Sequence, residues 1–320
     1  MALAALALSM PVMAASFTID STGSNVTNNT ACLKNSTLTT DCSSGPTQDP
    51  LNPDGETTKA IIPGGVPPSA SYNKVTITGW TGSSPIPSTG YSVAGGYYPS
   101  AFVTRNTVKI DGASDITGNV YGGYGADADV NEVTIDSSTI TGYIYGGYGN
   151  NNGFTASNTV TISKTSVTGN VYGGYSVPGD ATGNTVTIGE ASCIKGNVYG
   201  GDGSNSTKDF FTGNKLVKNG ADSIIAGTAS NFQKLEFNYG DSGKANIHEL
   251  NTTETEGRVV EINVKNHNVT FDGNITGRGG LNKTGDGTLT LTAANIYEGG
   301  TTITGGLIEF DRPENFGGTD

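Results

Sequence analysis

A phrase built on Tyr-Gly-Gly returns along this chain, and its spacing limits the fold more than any other feature. The first copy, Tyr91-Ser-Val-Ala-Gly-Gly-Tyr97, is degenerate. Then come Gly118-Asn-Val-Tyr-Gly-Gly-Tyr124, Gly142-Tyr-Ile-Tyr-Gly-Gly-Tyr148, Gly169-Asn-Val-Tyr-Gly-Gly-Tyr175 and Gly196-Asn-Val-Tyr-Gly-Gly-Asp202. The starts are separated by 27, 24, 27 and 27 residues. A second word runs between them, opening at Asn106, Asn131, Asn158 and Asn184 and ending on Ile110, Ile135, Ile162 and Ile188; Asn73 to Ile77 is an earlier copy. Self-similarity at a period of 20–50 residues marks a solenoid or an array.

Within each word, Val and Ile alternate with polar residues, as in Val133-Thr-Ile135, and so share one face of a strand. Ile140, Gly142 and Ile144 alternate likewise, as do Val167, Gly169 and Val171. Each repeat therefore carries two short strands with turns and no helical spacing. A hairpin array wants two-residue turns between strands, and a WD40-type blade needs ~40–45 residues. A coil of about 25 residues suits a parallel β-helix, whose strands stack ~4.8 Å apart, so that five coils give a rod of roughly 24 Å. In that fold the Gly-Gly pairs should serve corners needing φ > 0 and close coil-on-coil approach. The Asn opening each second word should form an amide ladder.

Composition agrees. Of 320 residues, 34% are hydrophobic and 14% charged, with 48 Gly. No run reaches the ~20 apolar residues of a membrane helix, and no Leu/Glu/Lys heptads suggest a coiled coil. Thr, Val, Ile and Tyr favour strands, and Gly and Asn favour turns. The net charge of −12 repels phosphate, which argues against nucleic acid as a partner. The expected class is all-β, a parallel β-helix with an irregular N-terminal segment.

Residues 1–15 read as a signal peptide with a truncated start: an apolar run, then Val12-Met13-Ala14 as a small-x-small cleavage site, with no Lys or Arg before Lys34. Residues 16–70 lack periodicity and contain Pro-Gly linker signals. Cys32 and Cys42 lie close enough in sequence to pair in an oxidising compartment. Closing that loop would contribute roughly 2–3 kcal/mol. Cys193 has no evident partner and reads as a buried free thiol. The Tyr-Gly-Gly coils occupy 71–220, and 221–320 continues the β-helix in different words.

Signals of catalysis are sparse. Gly240-Asp-Ser-Gly243 matches a serine-protease nucleophile motif, but both histidines, His248 and His267, lie downstream of Ser242. Four such residues are also common in turns. Asp127 and Asp129, with Asp136 further along, are the nearest acidic group for a polysaccharide lyase or hydrolase, and their neighbours in the next coil are neutral. Two histidines make a zinc or copper site improbable, and no cofactor motif is present. The expectation is a protein that is not an enzyme and holds no metal.

Strand alternation places Tyr121, Tyr145, Tyr172 and Tyr199 on the outside if Val120 and its equivalents point inward. They would form an external aromatic stripe, with Tyr124, Tyr148 and Tyr175 as a second one past the Gly-Gly pair. Such a stripe could anchor a glycan or a partner protein, or could stabilise the rod by ring stacking worth ~0.5–1.5 kcal/mol per pair.

The stretch Leu281 to Phe310 contains Lys283, Thr284, Gly285, Gly287, Thr288, Leu289, Leu291, Asn295, Tyr297, Gly299, Gly300, Thr301 and Ile303 in fixed order. It closely resembles the autotransporter-associated β-strand repeat. The Tyr-Gly-Gly coils resemble, more loosely, those of large adhesin-like surface proteins. The resemblance implies a passenger segment of a type V secreted protein of a Gram-negative bacterium, folded as a right-handed parallel β-helix at the cell surface or secreted. Autotransporters continue into an outer-membrane β-barrel translocator. The chain reaches Asp320 without one, so the expectation is a fragment. Adhesion to a host-cell or bacterial-surface glycan or protein is the first functional expectation. A structural stalk that assists secretion of another domain is the second, and a passenger enzyme the third.

Overall fold

Short strands that alternate Val and Ile with polar residues cannot bury one face alone; they need copies of themselves in register. The structure, a computed structural model, provides that. It describes residues 73–78, 91–112, 116–150, 153–205, 207–240 and 242–317, and the strand backbones at 16–19, 25–28, 32–34, 37–39 and 59–61. The leader sequence of residues 1–15 and Cys42, and with it the Cys32–Cys42 pairing, lie outside the described residues.

The chain winds as a parallel β-helix. One face stacks Lys74–Thr78, Thr107–Asp111, Glu132–Asp136, Thr159–Ser163, Thr185–Ile188, Lys215–Lys218, Lys234–Phe237, Val259–Asn263, Gly280–Thr284 and Thr301–Ile303, all parallel. Register is kept side chain on side chain: Val75, Val108, Val133, Val160, Val186, Leu216 and Leu235 form one inward ladder. A second face carries Tyr91–Ala94, Val120–Tyr121, Ile144–Gly149, Val171–Ser176, Val198–Gly203, Ile224–Ser230 and Ile247–Asn251. The short strands Thr139–Ile140, Ser166–Val167 and Cys193–Ile194 lead into it. Thr155–Ala156 and Ala181–Thr182 add a side stack, and Ser242–Lys244, Asn268–Phe271, Thr288–Leu291 and Leu307–Phe310 form a further face toward the C-terminus. A coil thus carries more than the two strands read from sequence, because the Tyr-Gly-Gly segment is itself extended. Upstream, Ser16–Ile19 pairs in parallel with Lys74–Thr78.

One hydrophobic core runs from Val75 to Ile308 inside the coil. Each fully buried Val or Ile contributes roughly 1.5–3 kcal/mol. The asparagine ladder forms as expected. Asn106 Nδ2 donates to Asn131 Oδ1 at 2.9 Å, Asn131 to Asn158 at 3.1 Å, Asn158 to Asn184 at 3.0 Å and Asn184 to Asn214 at 3.3 Å. Each of these asparagines follows a corner residue with positive φ: Arg105 (56°), Val130 (56°), Ser157 (56°), Gly183 (67°) and Gly213 (73°). A non-glycine residue there costs roughly 1–2 kcal/mol, which the buried amide bonds offset.

The Gly-Gly pairs play only half of the role expected of them. None of Gly122, Gly123, Gly146, Gly147, Gly173, Gly174, Gly200 and Gly201 has positive φ. They lie within or beside extended strands, and close approach alone excludes a side chain. A Cβ on Gly146 would sit 2.3 Å from the Gly173 carbonyl oxygen and 3.0 Å from Asn158 Cβ. Cys193 is likewise half-buried rather than buried, because it falls on the outward phase beside inward Ile194.

Two lysines occupy inward positions. Lys218 continues the ladder below Ile188 and above Phe237, and Lys283 follows Ile262. Both are about as buried as the aliphatic residues around them. Lys218 Nζ donates to the Ser223 carbonyl and hydroxyl oxygens, both at 2.6 Å. Lys283 Nζ donates to the carbonyls of Gly285, Gly287 and Gly305 at 2.7, 2.6 and 2.9 Å. Lys283 ties together three corner carbonyls and Lys218 is held by both oxygens of Ser223, which is how a buried charge is tolerated.

Candidate functional site

The repeated Asn-Val-Tyr-Gly-Gly-Tyr phrase builds a slab of aromatic rings on the second face. Val120, Ile144, Val171 and Val198 point into the core, and the next residue therefore points out. Tyr121, Tyr145, Tyr172 and Tyr199 stack with centroids 4.9, 4.9 and 5.0 Å apart and planes within 5–7°. Past the glycines, Tyr97, Tyr124, Tyr148 and Tyr175 stack at 5.0, 4.6 and 5.1 Å. The two ladders meet edge to face: Tyr121 and Tyr124 at 5.7 Å, Tyr145 and Tyr148 at 5.3 Å, Tyr172 and Tyr175 at 5.4 Å. The glycines between the two tyrosines let the slab sit against the coil, since a side chain at Gly147 would strike the Ala128 carbonyl.

The inner ladder lies outside the aliphatic core but is not an exposed stripe. Tyr121, Tyr145 and Tyr172 are only 3%, 9% and 8% exposed, and Tyr199 is half-buried. The outer ladder roofs it, and Tyr97, Tyr124, Tyr148 and Tyr175 are the half-exposed rings. Strand alternation gave the direction of the inner rings; it could not show that the rings three residues later fold back over them.

Asparagines fix the inner hydroxyls. Asn119, Asn170 and Asn197 donate through Nδ2 to the hydroxyls of Tyr121, Tyr172 and Tyr199 at 3.0, 2.9 and 2.9 Å. Their Oδ1 atoms accept the backbone N–H of Tyr143, Asn197 and Thr228 in the following coil. This is a second amide ladder, and the Asn two residues before each Tyr was its sequence signal. Burial raises the Tyr145 and Tyr172 phenols above their ordinary value. Tyr145 shifts furthest, first by desolvation and then through the neighbouring rings. Tyr172 is pushed up to about 12, again by desolvation, although its bond from Asn170 acts the other way. These two phenols therefore stay neutral through the physiological range.

The other candidate residues serve the scaffold. Asp127 Oδ1 accepts the Phe154 N–H at 2.6 Å and Asp129 Oδ1 the Ala156 N–H at 2.7 Å, so both carboxylates tie their coil to the next. Asp136 accepts from the Ser137 hydroxyl at 2.9 Å. Ser242 and His248 are exposed on separate strands, and no hydrogen bond joins Ser242 to His248 or His267 among the described residues. Among the described residues no three His, Cys, Asp or Glu side chains could hold a metal ion, and no helix is long and apolar enough to cross a membrane.

Toward the C-terminus six of the fixed positions of the repeat are packing positions. Leu281, Lys283, Leu289, Leu291, Asn295 and Tyr297 are all buried. Asn295 accepts the Ile275 N–H at 2.8 Å and donates to the Asn315 carbonyl, and the Tyr297 hydroxyl donates to the Phe316 carbonyl. The short helical turn Pro313–Phe316 is thereby held against the last coil, with the Phe310 and Phe316 rings 4.9 Å apart. Residues 281–309 match the family model described as passenger-associated-transport-repeat. No curated protein and no solved structure matches the chain.

Proposed function

We propose that this autotransporter passenger is a non-catalytic rod displayed at the surface of, or released from, a Gram-negative cell, and that it acts in adhesion through repetition. The outer tyrosine ladder carries the reading. It sets one half-exposed phenol above the next at 5.0, 4.6 and 5.1 Å, on a support locked by two amide ladders. Because the rings are stacked, Tyr124 and Tyr148, covered on both faces, turn their edges rather than their faces to solvent. The surface thus offers a row of equivalent hydroxyl and C–H edge contacts, each weak, that add when one partner spans several. A glycan chain or an extended partner protein on a host or bacterial surface fits such a row. An outer-membrane translocator would carry the rod out.

A second reading is a structural stalk whose folding outside the membrane assists export. Burial of Tyr121, Tyr145 and Tyr172 favours it, since those rings spend their area on each other.

Adhesion of bacteria displaying the protein, or of beads coated with it, tests the first reading. Tyr→Ser changes at Tyr124, Tyr148 and Tyr175 should leave the circular dichroism of the rod in place and abolish attachment. The same changes at Tyr121, Tyr145 and Tyr172 should weaken attachment by loosening the fold. Attachment that survives loss of the outer ladder rejects the assignment of that face. Absence of any attachment by the wild type leaves the stalk, and turnover of polysaccharide or peptide substrates would replace both with an enzyme.

A further inference from the structure

The outer ladder ends on a carboxylate. Asp202 in strand Val198–Gly203 is the register partner of Tyr175 in the coil before. In the complete coils the ring at this position lies within 5.1 Å of the outer ring before it, within 5.7 Å of the inner ring of its own coil and within 6.0 Å of the inner ring of the preceding coil. The equivalent neighbours of Asp202 are Tyr175, Tyr199 and Tyr172. An aspartate side chain stops at the carbon where a tyrosine ring begins, so the ring that would continue the ladder over Tyr175 is missing at Asp202. Tyr148 covers one face of Tyr175, and among the described residues no ring covers the other.

The carboxylate at this position has no cation beside it among the described residues. Asp202 Oδ1 accepts its neighbouring Gly203 N–H at 2.8 Å, and among the described residues Asp202 makes no ion pair. It is half-buried, and desolvation raises its pKa above the ordinary carboxylate value. An aromatic face beside an under-satisfied carboxylate is the chemistry that receives an organic cation: the ring quadrupole attracts the charge, and the carboxylate accepts its N–H bonds.

We propose that the end of the outer ladder, formed by Asp202, Tyr175, Tyr172 and Tyr199, is a binding site for a primary alkylammonium group. The ammonium hydrogen-bonds the Asp202 carboxylate, and the adjoining methylenes lie on the open face of Tyr175. A quaternary ammonium has no N–H to give the carboxylate and fits less well. The chain's net charge of −12 draws such cations toward it. The group can come from a free amine or from a lysine side chain. This site goes beyond the adhesive reading and does not depend on it, since it is measured on the purified chain without cells.

The test is calorimetric titration of the purified protein with n-butylammonium chloride, N-acetyl-lysine amide and tetramethylammonium chloride, with the ring proton shifts of Tyr175 followed by NMR. Saturable binding of both primary amines is expected, with tetramethylammonium at least fivefold weaker. Asp202→Asn, which keeps the shape, should weaken the amines at least tenfold, and Asp202→Tyr, which completes the ladder, should abolish binding. Binding of butylammonium alone assigns the site to free amines, and binding of both extends it to lysine side chains. Lack of saturable binding, equal affinity in Asp202→Asn, or tetramethylammonium binding as tightly as butylammonium would overturn the proposal.

Discussion

The tyrosine coils and the C-terminal coils share one architecture and hold it together differently. Between Asn131 and Asn158 a coil takes 27 residues, whereas between Ile275 and Asn295 it takes 20. The wide coils are joined by ladders: asparagine on asparagine, tyrosine on tyrosine, each side chain bonded to its own copy one winding later. The narrow coils are joined by single locks, such as Lys283 on three corner carbonyls and Asn295 with Tyr297 on the terminal turn. A ladder transmits damage in both directions along the axis. A lock fails where it stands. The wide coil therefore keeps its surface regular over distance, and the narrow coil is held at single points.

The most damaging test of this contrast is loss of an interior ladder amide. Asn158 is fully buried, accepts from Asn131 N at 2.9 Å and Nδ2 at 3.1 Å, and donates to Asn184 Oδ1 at 3.0 Å and the Ala128 carbonyl at 2.8 Å. Asn158→Ala should cost about 4 kcal/mol, near 1 kcal/mol for each bond lost. Asn295→Ala removes two bonds and should cost about 2 kcal/mol on the same reasoning. Urea unfolding gives the magnitudes and amide hydrogen exchange gives the reach. Exchange should accelerate in the coils of Asn131 and Asn184 for the first variant, and stay confined to 275–316 for the second. Equal reach would erase the distinction between ladder and lock.

Glycines probe the same contrast with a smaller effect. Gly146→Ala drives a methyl group to 2.3 Å from the Gly173 carbonyl, which is backbone and cannot swing aside. The coils must separate, at about 2–3 kcal/mol. Gly300 has φ of 73° and open space around its missing Cβ. Gly300→Ala should cost only the left-handed conformation, about 1 kcal/mol. Denaturation midpoints of the two variants should differ accordingly, and a Gly146→Ala protein as stable as Gly300→Ala would mean that the coils yield easily.

How much of this was legible depended on repetition. The spacing of the Asn and Tyr-Gly-Gly words predicted parallel stacking, and Asn73, Asn106, Asn131, Asn158 and Asn184 predicted an amide ladder, because a feature that recurs every coil must meet itself. Asn214 escaped notice: an insertion lengthens its coil, and the word after it reads Lys-Leu-Val-Lys. The inward Lys218 and Lys283 were unreadable from alternation alone, which treats lysine as a solvent residue; only carbonyls left over at a corner make an ammonium welcome there. The burial of Tyr145 was hidden for a related reason, since its cover is Tyr148 and Tyr175, rings set over it by a strand whose glycines look like a turn in sequence.

pH dependence sets the buried lysine against the buried tyrosines. Lys218 is pushed down to about 8 by burial, and burial lowers Lys283 as well. Between that pH and the unfolded value of 10.5 the unfolded chain holds the proton that the folded chain has released. Stability must therefore rise with pH across this interval. Tyr172 is pushed up to about 12 from 10.0, so above pH 10 the folded chain keeps a proton that the unfolded chain has lost. The stability contributed by the buried phenol is intact below 10.0 and drains away as pH climbs toward 12. Urea midpoints from pH 7 to 11 should pass through a maximum near pH 10, with a rising limb of about 3 kcal/mol and a smaller falling limb of about 1 kcal/mol by pH 11. Lys218→Met should flatten the rising limb and Tyr172→Phe should shallow the falling one. If both substitutions alter the same limb, or if stability falls steadily from pH 7, the buried lysine and the tyrosine slab are not the titrating elements that the packing requires.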